Sequence, residues 1–122
     1  MSVLPANYII TDSLNLVKAG TPYLALYTND PTAADTGTEV SGGSYARQAI
    51  TFGAITAGAI KNTAVITFTG LNTASITHYG VKSALTAGTL RIYGTLDSAA
   101  AVVTGDQVQF PISSITVNLS GS

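Results

Sequence analysis

The chain has 122 residues, 46% of them apolar and only 9% charged, with a net charge of −1 and no cysteine. That length suits one ordinary domain, and the missing cysteines exclude disulfides and thiolate metal sites. Charge lies well below the ~25% typical of soluble domains, yet a disordered chain would show high charge and low hydrophobicity.

Residues 1–5 (MSVLP) show no basic region leading into an apolar stretch, so no secretory signal is expected and synthesis in a cytoplasm is the default. In residues 6–19, Ile9, Ile10, Leu14 and Val17 roughly follow helical spacing. In the same segment Tyr8, Ile9, Ile10, Thr11 and Val17 favour strands. A helix and an extended arm are both open there. Residues 23–28 (YLALYT) read as a strand, stopped by Asn29, Asp30 and Pro31. A polar loop follows over 29–43. In residues 45–52 (YARQAITF), alternation places Ala46, Ile50 and Phe52 on one face, with Tyr45, Arg47 and Thr51 on the other. Residues 54–61 read as a short strand bent at Gly58, and residues 63–69 put Ile66 and Phe68 on one face. Residues 76–83, 90–96 and 108–112 are further strand candidates, and Ile115, Val117 and Leu119 close the chain at period two. The run 99–103 (AAAVV) reads as a buried strand or strand-loop.

This pattern predicts an all-β fold, an antiparallel β-sandwich or jelly-roll-like domain over 21–122 behind an N-terminal arm or helix over 1–20. Its expected core is Ile50, Phe52, Ile66, Phe68, Leu90, Ile92, Val108, Phe110, Val117 and Leu119. The apolar runs fall far short of the ~20 residues that a membrane-spanning helix needs. Lys18, Arg47, Lys61, Lys82 and Arg91 stand singly along the chain, without the clustered basic face of a nucleic-acid binder. Neither a membrane nor a nucleic acid is an expected partner. A surface filled by Thr, Ser, Ala and Gly carries little like-charge repulsion and suits a protein packed against other subunits.

No constellation for catalysis is visible, and no cofactor is expected. His78, the only histidine, lies in a strand-like run without a Gly-x-Ser-x-Gly elbow, and reads as a structural or interface residue. It has no second histidine or cysteine with which to hold a metal. Asp30, Asp35 and Glu39 share one loop, where oxygen ligands could gather a hard cation or simply face solvent. Asp97 and Asp106 are expected at strand ends, making local turns. Residues 41–44 (SGGS) lack the lysine of a phosphate loop and lead into a strand. Tyr45 and Tyr93 fall on the polar faces of their strands, and tyrosine is enriched at interfaces because it is flat and amphipathic.

Residues 24–31 (LALYTNDP) and 37–53 (GTEVSGGSYARQAITFG) together resemble a family of small tailed-bacteriophage virion structural proteins, often labelled tail fibre or structural protein. Later blocks agree with the resemblance: residues 62–68, residues 76–81 (ITHYGV) and the closing 115–119. It thus spans roughly residues 23–119, with GTEVSGGSYAR as its specific part. Members often begin with a charged helix-like segment, whereas residues 8–18 here are sparse in charge. Within the block, Glu39 and Arg47 flank the Ser-Gly-Gly-Ser turn and are spaced to pair across it beside Tyr45.

The resemblance implies a non-enzymatic virion protein. Small size and neutrality favour a capsid decoration (cement) protein, a homo-oligomer expected as a trimer, bound to the major capsid protein or other virion proteins at the capsid surface. A tail fibre or collar component is the alternative, and a carbohydrate-binding module a third reading. The interface candidates are Tyr8, Asp30, Asp35, Glu39, Tyr45, Arg47 and Tyr93.

Overall fold

In a computed structural model, described over residues 6–118, the chain is an antiparallel all-β domain with one helix. The N-terminal segment is a helix, α1 (Asn7–Lys18), rather than an arm. Ile10, Leu14 and Val17 recur at i, i+4 and i+7 and are buried in the common core. That packing outweighs the strand preference of Ile9, Ile10 and Thr11, as tertiary burial commonly does for a short helix. Arg91 closes the other end, its guanidinium donating to the carbonyls of Val17 (3.0 Å) and Ala19 (2.8 Å). A cation there meets both the unpaired carbonyls and the negative end of the helix dipole.

Eight strands follow: β1 (Tyr23–Tyr27), β2 (Gln48–Ala49), β3 (Ala59–Lys61), β4 (Ile66–Leu71), β5 (Ala74–Lys82), β6 (Leu90–Val102), β7 (Asp106–Phe110) and β8 (Thr116–Asn118). One four-stranded sheet has the order β2-β1-β5-β6, while β3 pairs with β8 and β4 with β7. All these pairings are antiparallel. The expected bend at Gly58 is a two-residue hairpin turn: Thr56 and Ala59 exchange backbone hydrogen bonds of 2.9 and 3.0 Å, with φ of 52° at Ala57 and 75° at Gly58.

Of the expected core, Ile50, Phe52, Ile66, Phe68, Phe110 and Val117 are buried. Leu90, Ile92 and Val108 are half-buried, and Leu119 lies outside the described residues. The two β6 residues fall short because β6 is an outer strand of its sheet, with a neighbour on one side only. The same position corrects the reading of residues 99–103. Residues 99–102 end β6 and Val103 follows it; Val102 is buried and Ala100 half-buried, and the other three are exposed.

The segment 45–52 also departs from its expected strand. Only Gln48 and Ala49 join a ladder, and the faces are exchanged at its start, with Ala46 exposed and Tyr45 turned inward. The Tyr45 ring stacks on Phe68 at 5.9 Å with an interplanar angle of 7°, so it contributes to the core rather than to a polar face. Gly43 permits this approach. Its φ is +56°, and a Cβ there would stand 2.4 Å from the Gly70 carbonyl, which accepts a hydrogen bond from the Ser44 N–H.

Candidate functional site

The GTEVSGGSYAR block folds into a polar network over one end of the four-stranded sheet. Val40 N–H bonds to the Leu26 carbonyl and Thr28 N–H to the Thr38 carbonyl, which lays residues 38–40 against β1. Glu39 is thereby fixed beside Arg47, and the pair expected across the Ser-Gly-Gly-Ser turn forms. Arg47 Nε donates to Glu39 Oε2 and its Nη2 to Oε1, each at 2.8 Å. This two-pronged geometry suits a guanidinium and cannot be copied by lysine. Arg47 Nη1 then reaches the carbonyls of Ala84 (3.0 Å) and Ala87 (2.7 Å), tying the β5–β6 turn to the block. Tyr45 hydroxyl donates to Glu39 Oε2 at 2.6 Å and accepts from Leu26 N–H at 3.1 Å.

A second pair adjoins the first. Asp35 accepts hydrogen bonds from Tyr27 hydroxyl (2.9 Å) and from the ammonium of Lys82, which is 5% exposed. Charges follow from these contacts. Burial alone would raise the Glu39 carboxyl, but hydrogen bonds from Arg47 and Tyr45 outweigh it and hold it below the ordinary range. Lys82's hydrogen bond, working against burial and aided by Tyr27, likewise lowers Asp35. Glu39's hydrogen bond raises Arg47. Burial, reinforced by the neighbouring carboxylates, pushes Tyr27 and Tyr45 well above the usual phenol range, so both remain donors.

The structure therefore separates the seven interface candidates. Asp35, Glu39, Tyr45 and Arg47 are joined by contacts inside the fold. Tyr45 is not the exposed ring that alternation suggested. Tyr8 (72% exposed) and Tyr93 (43%) do face outward, and Asp30 is exposed while its carboxylate accepts from Thr32 N–H at 2.8 Å. The three carboxylates of the 29–43 loop each serve a different donor, and among the described residues no cluster of three or more metal-ligating side chains occurs. His78 is half-buried in β5, its Nδ1 2.7 Å from Thr77 Oγ1. Asp106 makes its expected local turn with Val103. Asp97, by contrast, stands within β6 rather than at its end. No helix of the described residues is long and apolar enough to cross a membrane.

The family model described as Podophage GP4 fiber I protein gp80 matches residues 6–118. The chain belongs to this family. No curated protein sequence matches it. As a member of the gp80 fibre family it is a phage virion structural protein, and the matched span runs from the start of α1 through β8.

Two internal residues escaped the sequence reading. Lys82 looked like one more scattered cation, yet it is buried against Asp35. Asn62 is 1% exposed, and its side chain binds three backbone groups: the carbonyls of Ala64 (3.0 Å) and Pro111 (2.9 Å) and the N–H of Ile115 (2.9 Å). It thereby ties the residues before β4 to those before β8. The sequence signal for Asn62 was its place at the head of the resemblance block 62–68; for Lys82 there was none beyond its position at the end of an apolar strand.

Proposed function

We propose that this protein is a non-enzymatic subunit of a podophage fibre, acting as a homo-oligomer, a trimer by preference, through contacts with copies of itself and with other virion proteins. The observation that carries the reading is the span of the fibre-family match, which takes in α1 and all eight strands rather than an isolated block. In this reading Glu39, Tyr45, Arg47, Asp35 and Lys82 serve the fold, while Tyr8, Tyr93 and the outer side of the 29–43 loop meet partners. Large exposed apolar side chains on α1, Tyr8, Ile9 and Leu16, fit a surface meant to be covered. Contacts of ~800 Å² per partner, repeated over copies, would give avidity beyond any single interface.

Capsid decoration is the second reading, favoured by a short domain without a long fibrous repeat. Quantitative mass spectrometry of purified particles, with immunogold labelling, separates the two. A small copy number, labelled at the tail, supports the fibre. Hundreds of copies, in fixed ratio to the major capsid protein and labelled over the head, would replace it with decoration.

A further inference from the structure

The β5–β6 ladder is interrupted near its middle. Ile76 pairs with Ala100 and His78 with Thr95, so the single residue Thr77 faces residues 96–99 of β6. Three more residues stand on one strand than on the other, an enlarged bulge that carries Asp97 and Ser98. They form one wall of an open groove of about 530 Å³, whose other wall is built by residues 108–111 and 114–116. This volume is within the range of small-molecule sites, roughly 300–1,000 Å³.

The lining narrows the class of ligand. Neither Lys nor Arg borders the groove, and Asp97 places a negative charge on it, so phosphates, sulfates and nucleic acid are disfavoured. A lone carboxylate is too few ligands for a divalent cation. What remains is Asp97, the amide of Gln109 (which also donates to Thr67 Oγ1 at 3.2 Å), the hydroxyls of Tyr79, Thr95, Ser98, Ser114 and Thr116, and an apolar strip that includes Leu96 and Val108. Asp30, Asp35, Glu39 and Asp106 all accept internal hydrogen bonds, whereas none within the described residues engages Asp97. Tyr79 lies across Gly94, where a Cβ would stand 2.8 Å from the phenol oxygen, so the missing side chain makes room for the ring. Burial, then the charge of Asp97, raises the Tyr79 phenol and keeps it a donor.

We propose that this groove binds a neutral saccharide. Ring hydroxyls donate to the Asp97 carboxylate and accept from Gln109 and the hydroxyl side chains, and the C–H face of the sugar lies on Leu96 and Val108. The site is independent of where on the virion the protein sits.

The full-length protein, labelled with ¹⁵N, is titrated with neutral trisaccharides of glucose, galactose and N-acetylglucosamine, each to about 10 mM. The expected result is that at least one shifts the amide signals of Asp97, Ser98 and Gln109, and that Asp97→Asn weakens its binding about tenfold or more at unchanged Tm. Tyr79→Phe, which keeps the ring, weakens it severalfold. Asp12→Asn, on α1, leaves it unchanged. If no sugar shifts these signals, if the shifts map elsewhere, or if Asp97→Asn binds as wild type, the proposal is wrong.

Discussion

The block at residues 39–47 and the bulge at residues 96–99 are both polar excursions beside the same sheet, and they are built in opposite ways. In the block every charged group has a geometrically matched partner, and Arg47 alone makes four hydrogen bonds. At the bulge, Asp97 and Ser98 line an open groove. The first arrangement holds a loop, a strand and a turn in one relation. The second leaves polar groups available to something else. The part of the sequence that is most distinctive is thus largely occupied in making the fold, and residues 96–98, where the sequence suggested only a strand end at Asp97, line the open groove.

That contrast predicts an order of effects. Phe68→Ala should be worst, because Phe68 lies beneath both Tyr45 and Phe110. It should cost ~3–5 kcal/mol in urea unfolding. Arg47→Ala comes next. It leaves the Glu39 carboxylate and the Ala84 and Ala87 carbonyls without their donor, and since Glu39 retains some solvent contact the loss should be ~1.5–3 kcal/mol. Arg47→Lys should recover less than half of that loss, because an ammonium cannot reproduce the paired contacts. At the bulge, Asp97→Asn or Ser98→Ala should change stability by under ~0.5 kcal/mol. A large loss there would erase the distinction between the two regions.

Acid should loosen the block and the adjoining Asp35–Lys82 pair. Asp35 and Glu39 have folded-state pKa values below their unfolded ones, so their contribution is complete above the unfolded carboxylate range, about pH 4. It is lost as pH falls through the lower, folded values. The midpoint of urea unfolding should therefore decline on acidification through this window. Glu39→Gln should flatten the decline.

Much of this was legible in the residues, and the misses have physical causes. Period-two alternation located β4 and β7, whose inward residues alternate with more exposed ones, while β1 was legible as an apolar run bounded by turn-formers and is buried at four of its five positions. Glu39 and Arg47 were readable as a pair because they flank a glycine turn. Tyr45 was misjudged because alternation assumes an unbroken strand, whereas the chain changes face between Tyr45 and Ile50 to place the phenol on Glu39. The bulge was invisible for the converse reason: β6 remains strand-like on both sides of it, and its extra residues show only against the register of β5. The Lys82–Asp35 contact joins residues 47 positions apart, a distance at which sequence spacing carries no pairing signal.

The central claim is that Glu39, Tyr45 and Arg47 of this block serve the fold and that partner contacts are made by other side chains. The direct measurement is the incorporation of a Glu39→Gln, Arg47→Met double variant into virions, by quantitative mass spectrometry of purified particles, normalised to the folded fraction from thermal melting. Copies per particle for each folded subunit should equal wild type, with only the melting temperature reduced. A variant that folds fully yet is missing from particles would contradict the claim and make this block a contact surface.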